Sequence, residues 1–338
     1  MVAALAWLCV IGAMPVWATE PVLLIHGGAG TILRSDLDAV TEAAIRADLQ
    51  TALRAGAEQL RSGADADAAV IAAIRVLEES ARFNAGKGAV MDAEGGHQLD
   101  AAIMRGWNRQ AGAVAGLRQT RSPIQAALAV MDHSPHVLLT GTDADAFATT
   151  QGLEQVSNDW FDTDFRRGQW ERWRAQQQET TAAVQSGKLP LSYLYGTVGA
   201  VARDRSGRLA AGTSTGGMTG KRWGRVGDAP IIGAGTWADG GCAVSATGHG
   251  EYFIRLGVAQ RICERVEFQG RSIASAADTV IGRELTELGG TGGVIVLGPT
   301  GEHALRFNTE GMYRGWIDAD GRIGVAIYGD EDAVEVQP

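Results

Sequence analysis

The feature that most constrains the fold of this chain is a break in composition between residues 157 and 195. This stretch is charged and rich in Gln, and its second half has the composition of an exposed linker. A strand-like apolar run lies on either side of it, at 21–30 and again from Thr197. Two halves that each begin with a strand and continue into helices predict packed sheets covered by helical layers.

The first half predicts a buried strand, several helices and a hairpin. The run PVLLIHGGAG is typical of a strand that ends in a glycine-rich turn, and the hairpin is expected to turn at Gly95 and Gly96. Two long helices and two short ones are predicted over 38–60, 65–79, 123–131 and 143–149.

The second half predicts a strand pair, two helices and two closing strands. The strands are expected over 197–203 and 208–214, and the last two lie in GGVIVLGP and RIGVAIYG. A single helix is predicted over 250–268, because Ile254, Val258, Ile262 and Val266 recur at intervals of four. The second helix is predicted over 272–288.

The N-terminus and the overall charge predict where the protein acts. An apolar run from Ala3 to Met14 is followed by Val16 and Ala18 at the small-residue positions of a signal cleavage site, so we expect an exported, periplasmic protein cut after Ala18. The run lacks a preceding Lys or Arg, which leaves a misassigned start or a short membrane anchor as alternatives, although it is too short to span a bilayer. A net charge of -9 without a basic stripe argues against binding to nucleic acid or anionic membranes.

Cysteine usage gives no disulfide framework. Of the three cysteines, Cys9 lies in the predicted signal, and we expect Cys242 and Cys263 to be unpaired buried side chains, although two cysteines could pair.

The common metal, phosphate and serine-hydrolase motifs fit poorly. The six His show no HExxH pattern, and GGAG lacks the spacing of a dinucleotide loop. Ser214 in GTSTG matches G-x-S-x-G, but a glycine-rich loop follows it where a nucleophile elbow needs a helix.

Three threonines remain as candidate catalytic groups: Thr197, Thr215 and Thr247. A threonine hydroxyl is a weak nucleophile that needs an adjacent base. If Thr197 became a chain terminus, its own α-amine, with a reference pKa near 7.7–8.0, would supply that base. Taken singly, each threonine is also explained as an ordinary strand residue.

The ordered motifs around these threonines resemble the plant-type asparaginase/isoaspartyl peptidase family of N-terminal-nucleophile hydrolases. The matching segments are LLIHGGAG, LEESARFNAGKGAVMD, LDAAIM, GTVGAVARD, GTSTGG, KRWGRVGDAPIIGAGTWA and AVSATGHGEYFIR, and they cover nearly all of the chain after residue 18. The resemblance implies an α+β fold, a four-layer αββα sandwich with two mainly antiparallel sheets. It also implies self-cleavage between Gly196 and Thr197 into an α subunit (19–196) and a β subunit (197–338), assembled as a dimer of αβ units.

The resemblance also implies the roles of individual residues. Thr197 would be the nucleophile, Thr215 would tune it, and Thr247 with the Gly248 N–H would hold the oxyanion. Arg225, Asp228, Gly250 and Asn84 would bind the substrate. The implied structural sodium would be held by the backbone carbonyls of Leu77, Glu78, Ser80, Phe83, Ala85 and Lys87, and no cofactor would be needed for catalysis.

The implied activity is hydrolysis of β-aspartyl dipeptides and of the L-asparagine side-chain amide. A glycosylasparaginase on the same fold is the nearest alternative, although relatives of that kind place Asp before the threonine, where this chain has Gly196. More distant alternatives are an endopeptidase of the taspase type, a serine esterase that uses Ser214, and a non-enzymatic exported scaffold.

Overall fold

The computed structural model describes residues 22–179, 196–317, 322–331 and 334–336. Within these ranges, the first half contains four strands, β1 to β4, and five α-helices, α1 to α5. The strands are Val22–Gly30, Leu99–Arg105, Ala111–Leu117 and Leu138–Thr140. The helices are Ala39–Arg61, Ala66–Glu79, Pro123–His133, Gly141–Thr150 and Asp164–Glu179.

The described part of the second half contains nine strands, β5 to β13, and three α-helices, α6 to α8. The strands are Val198–Arg203, Leu209–Thr215, Thr236–Ala238, Ala243–Gly248, Gly292–Leu297, His303–Phe307, Gly311–Ile317, Ile323–Tyr328 and Val334–Val336. The helices are Gly250–Leu256, Val258–Gln269 and Ile273–Ala277, and a π-helical segment, Asp278–Leu285, continues α8.

Two sheets form the middle of the molecule. The larger sheet has the strand order β13-β12-β11-β1-β5-β6-β2-β3-β4, and the smaller one has the order β10-β9-β8-β7. All of the pairings between these strands are antiparallel except that between β3 and β4.

Three apolar clusters separate four layers. Leu23 and Ile25 of β1 face α1, α2 and α3, whereas Leu24 between them faces the smaller sheet. This alternation follows from the two-residue period of a strand. On the far side, Val244 and Val296 of the smaller sheet pack against α7 and α8. The predicted αββα sandwich is therefore confirmed.

The predicted hairpin turn is wrong. Strands β2 and β3 form the hairpin, and its turn lies at residues 106–110. Gly95 and Gly96 do lie in a turn, but the Asp92 carboxylate accepts hydrogen bonds from the backbone N–H groups of Glu94 and Gly96. A side chain that bonds the nearby backbone in this way competes with strand pairing.

The predicted helix over 250–268 is two helices. Gly257 adopts a left-handed conformation with φ of 64° and separates α6 from α7. Val258 and Ile262 are buried as predicted, but Ile254 precedes the break and is 37% exposed. The expected four-residue stripe therefore holds only after the break.

The prediction that Cys242 and Cys263 are unpaired is wrong. They form a disulfide that joins the start of β8 to α7 across 21 positions of sequence. Both cysteines are buried in the cluster under the smaller sheet, so this part of the expectation is confirmed. Sequence spacing did not indicate the pair, because the contact depends on how α7 packs against β8.

Part of the compositional break is a helix. Helix α5 spans residues 164–179, while the predicted linker half at 180–195 and the predicted signal segment at 1–18 lie outside the described residues. Within the described ranges, the helices are too short or too polar to cross a membrane.

Candidate active site

Thr197 and Thr215 lie side by side at the adjacent ends of β5 and β6. The Thr197 hydroxyl donates to Thr215 Oγ1 at 3.0 Å, and the Gly217 N–H donates to the same oxygen at 3.0 Å. Thr197 is only 7% exposed. Two hydrogen bonds therefore orient Thr215 Oγ1 towards the hydroxyl of Thr197.

Asn84 links the Gly196–Thr197 bond to the loop after β6. Its backbone N–H donates to the Gly196 carbonyl at 3.0 Å, and its backbone carbonyl accepts from the Gly216 N–H. The side chain donates to the Gly217 carbonyl at 2.7 Å. The fully buried Asn84 thus contacts the predicted cleavage site directly and polarises the carbonyl of Gly196.

Thr247 and Gly248 end β8 and present donors beside the β1 strand. Thr247 Oγ1 accepts from the Ala29 N–H at 3.3 Å, so its own hydrogen remains available. Gly248 faces Gly292 in the ladder, and the next pair is bonded through the His249 N–H and the Thr291 carbonyl. Hydrogen-bonded and non-hydrogen-bonded pairs alternate along an antiparallel ladder. Gly248 and Gly292 therefore form a non-hydrogen-bonded pair, and the Gly248 N–H points away from β9. This geometry suits an oxyanion donor.

Arg225 is held by a carboxylate that the sequence analysis did not identify. Its Nε and Nη2 donate to the two carboxylate oxygens of Glu251, each at 2.9 Å. This bidentate pair fixes one edge of the guanidinium group and leaves Nη1 directed towards Gly217 and Gly227. Arg225 is therefore a positioned cation beside Gly217 rather than a solvated loop residue.

Asp228 is buried and incompletely paired. It is 5% exposed, and its Oδ2 has no hydrogen-bond partner among the described residues. Burial raises the pKa of Asp228 to about 7, although Arg225 opposes the shift. A Cβ at Gly250 would lie 2.9 Å from both Arg225 Nη2 and Asp228 Oδ1, so the two charged groups meet beside this glycine. The arrangement can take one carboxylate and one ammonium group of a ligand.

The loop that contains the predicted sodium ligands folds back on the end of α2. Gly86 and Gly88 pack so closely against the carbonyls of Glu78 and Phe83 that a Cβ at either glycine would clash. The Leu77 and Ala85 carbonyls also accept turn hydrogen bonds, from Ser80 and Gly88. Backbone carbonyl oxygens are ligands of the kind that a hard cation takes.

Ser214 does not have the geometry of a nucleophile. It is a fully buried residue within β6, and its hydroxyl donates to Glu78 Oε1 at 2.7 Å. A catalytic elbow would place the serine at an exposed turn between a strand and a helix.

Sequence reasoning missed Glu251 and a histidine that contacts Thr197. His26 Nδ1 donates to the Thr197 carbonyl at 2.9 Å. Burial lowers the pKa of His26 to about 3. The available signal was a histidine in the middle of an apolar strand, where a polar side chain is costly without a partner. For Glu251, the signal was an acidic residue next to Gly250.

Comparison with known proteins gives the family of the chain. A family model described as asparaginase matches residues 19–327. The isoaspartyl peptidase of Salmonella typhimurium is 45% identical over 91% of this chain and 99% of its own length. The isoaspartyl peptidase of Escherichia coli is 43% identical over 94% and 99%, and the isoaspartyl peptidase/L-asparaginase of Xenopus laevis is 39% identical over 93% and 97%. Likeness of this extent covers both halves of the chain, and the protein belongs to the asparaginase family of hydrolases.

Proposed function

We propose that the protein is a self-cleaving threonine amidohydrolase that acts on β-aspartyl dipeptides and on the side-chain amide of L-asparagine. The observation that carries the proposal is the position of the Thr197 hydroxyl. It lies 3.0 Å from Thr215 Oγ1, while Asn84 holds the carbonyl of the preceding residue. The names of the similar proteins support the same substrates.

Self-cleavage would follow from this contact. Thr197 Oγ attacks the Gly196 carbonyl carbon, and the Asn84 N–H stabilises the charge on the carbonyl oxygen. The C–N bond then breaks to give an ester, and the proton of the hydroxyl passes to the Thr197 nitrogen. Water then hydrolyses the ester. This step leaves Gly196 with a carboxylate and Thr197 with a free α-amine.

In turnover, that amine takes the proton of the Thr197 hydroxyl as Oγ attacks the substrate carbonyl carbon. Thr247 and the Gly248 N–H stabilise the oxyanion, and loss of one such donor typically costs about 10²–10³-fold in rate. The amine then protonates the leaving group. Water attacks the resulting ester, which releases aspartate and restores Thr197.

The charged groups would select the substrate. Arg225 binds the α-carboxylate through the donors that Glu251 leaves free, and Asp228 binds the α-ammonium group. Both β-aspartyl dipeptides and asparagine carry this pair of charges on the acyl side of the scissile bond. A glycosylasparaginase activity would share these contacts, and glycosylasparagine as a third substrate in the hydrolysis assay tests it.

A bound sodium ion and a dimer complete the proposal. The backbone carbonyls of Leu77, Glu78, Ser80, Phe83, Ala85 and Lys87 would hold Na⁺, which would stiffen the segment that positions Asn84. Arg and Thr side chains, not the ion, carry the chemistry. We further propose that two αβ units associate, as expected from the family resemblance.

We also propose that the protein is exported and acts in the periplasm. The Cys242–Cys263 disulfide supports this location, because stable disulfides are typical of oxidising compartments. N-terminal sequencing of the α chain from a periplasmic fraction tests the proposal, with residue 19 as the expected start.

Intact-mass measurement and hydrolysis assays test the activity. The wild type should give two chains, one beginning at Thr197, and should release aspartate from β-aspartyl dipeptides and from asparagine. Thr197→Ala should remain a single inactive chain. Ser214→Ala is the matched control and should be cleaved and active. An uncleaved wild-type chain with full activity would contradict the mechanism.

A further inference from the structure

A chain of hydrogen bonds runs from the Thr197 carbonyl into the interface between the two sheets. His26 Nδ1 lies 2.9 Å from that carbonyl, and His26 Nε2 lies 2.9 Å from Ser245 Oγ. Ser245 Oγ lies 2.7 Å from Thr213 Oγ1, which lies 2.7 Å from Thr236 Oγ1. The four inner side chains are fully buried.

The direction of these hydrogen bonds is fixed by their chemistry. A carbonyl can only accept, so Nδ1 of His26 carries the hydrogen and Nε2 accepts from the Ser245 hydroxyl. Each hydroxyl has one hydrogen, so the 2.7 Å contacts require that Thr213 donates to Ser245 rather than to the Gly235 carbonyl at 3.2 Å. In the same way Thr236 donates to Thr213 rather than to the Ala229 carbonyl at 3.0 Å. Because burial lowers the pKa of His26 to about 3, the imidazole stays neutral at working pH and keeps this pattern.

The sheets are built to admit this chain. His26, Gly199 and Thr213 lie side by side on β1, β5 and β6, and Ser245 pairs with Thr236 on the opposite sheet. A side chain at Gly199 would clash with both Ser245 Oγ and His26 Nε2. The surrounding interface is apolar. Polar groups there cost free energy, whereas a satisfied network specifies one arrangement.

We infer that His26 is a positioning residue for Thr197, and that Ser245 and Thr213 hold its ring in the tautomer that donates to the Thr197 carbonyl. The inference rests on the proposed role of Thr197 as the N-terminal nucleophile. Cleavage removes the covalent restraint on the amine side of Thr197, and this residue precedes the paired part of β5. The bond from His26 then fixes the orientation of both the hydroxyl and the amine.

Steady-state kinetics of the cleaved protein with a β-aspartyl dipeptide test the inference. His26→Leu should lower kcat about 50-fold, since a small misplacement of a reacting group can cost about 10²-fold. KM should change less than about threefold, because the charge-binding groups are untouched. His26→Asn places an amide N–H near the position of Nδ1 and should recover most of kcat.

Two further variants act on the His26 ring through its hydrogen-bond partners. Ser245→Ala and Thr213→Val leave His26 in place and should each lower kcat about fivefold. Thr120→Val is the matched control, because Thr120 is also fully buried. Its hydroxyl donates to Asp145, which is not part of the hydrogen-bond chain that reaches Thr197. This control should lose stability and keep kcat.

If the wild type is active and His26→Leu has the same kcat, the inference is overturned while the proposed function stands. A His26→Leu variant that differs from the wild type only in KM would overturn the inference in the same way. If His26→Leu does not fold, the test rests on Ser245→Ala and Thr213→Val. The inference is overturned if the kcat of both variants equals that of Thr120→Val. An inactive, uncleaved wild type would overturn the proposed function, and with it this inference.

Discussion

At the level of single residues, Asp228 combines a binding role with a cost in stability. Its carboxylate is buried, one of its oxygens has no partner in the described part of the chain, and its pKa is raised to about 7. Between the unfolded-state value near 3.9 and pH 7, the folded protein binds more protons at this group than the unfolded chain does. The stability that Asp228 contributes is therefore present below about pH 4 and is lost as the pH rises through 7.

This sign gives a pH-dependent prediction for Asp228→Asn. At pH 8 the variant should unfold at a higher temperature than the wild type, because no buried charge remains, while at pH 5 the gain should largely disappear. Calorimetry at the two pH values measures the difference. A variant that is less stable than the wild type at pH 8 would contradict the prediction.

The same substitution should weaken ligand binding. A bound α-ammonium group favours the charged carboxylate, so the affinity of the wild type for L-aspartate should rise between pH 6 and 8. Asp228→Asn should bind about 100-fold more weakly, since loss of one partner of a buried charge pair typically costs about 2–5 kcal/mol. Its affinity should also lack this pH dependence. Isothermal titration provides both values.

At the level of elements, α5 supports the loop that carries Arg225. Trp173 is largely buried and packs directly against Gly220, and Trp170 donates from Nε1 to the Asp92 carbonyl at 2.8 Å. The sequence showed several tryptophans in a charged stretch but not their packing surface. That surface belongs to loops distant in sequence.

Removal of the Trp173 ring should destabilise the protein and loosen the substrate loop. Trp173→Ala should lower the free energy of unfolding by about 3 kcal/mol through the cavity it leaves, and it should raise KM more than it lowers kcat. Urea unfolding and steady-state kinetics measure these effects. Trp223→Ala is the control, because that side chain is 96% exposed and should leave stability nearly unchanged.

The disulfide is a second restraint between elements. Because it closes a loop of about 21 residues between Cys242 and Cys263, its loss should lower the free energy of unfolding by about 3 kcal/mol. The Cys242→Ala, Cys263→Ala double variant and the reduced wild type should show the same loss with unchanged kcat. Equal stability of oxidised and reduced protein would contradict this prediction.

At the level of the whole molecule, strands from the two predicted subunits alternate in the larger sheet. Strand β1 of the first half lies between β11 and β5 of the second, and β6 pairs with β2. Separation of the chains would break several rows of backbone hydrogen bonds and expose the helix-covered core. Cleavage after Gly196 should therefore leave one folded unit.

The cleaved protein should behave as a single body. Its two chains should co-elute on gel filtration in native buffer, and fluorescence and circular dichroism should report one coincident unfolding transition. Uncleaved Thr197→Ala should elute at the same volume. Release of a free α chain without denaturant would show that the interleaved sheet is not intact.

The sequence by itself determined the local structure and the candidate chemistry. Strand and helix periods located β1, α1 and α2, and ordered motifs selected Thr197, Thr215, Arg225 and Asp228. The strands and helices depend on neighbours a few residues away, where period and backbone preference act directly. The four site residues were selected because their motifs resemble those of a known family.

Only the tertiary structure decided the contacts between distant segments. His26 bonds to a residue 171 positions away, and Arg225 is fixed by Glu251 on a later helix. The same holds for the disulfide and for Trp173 against Gly220. Such contacts require interatomic distances that are correct within a few tenths of an ångström, and suitable bond angles. Those are set by how two sheets and their helical layers pack, which spacing along the chain does not encode.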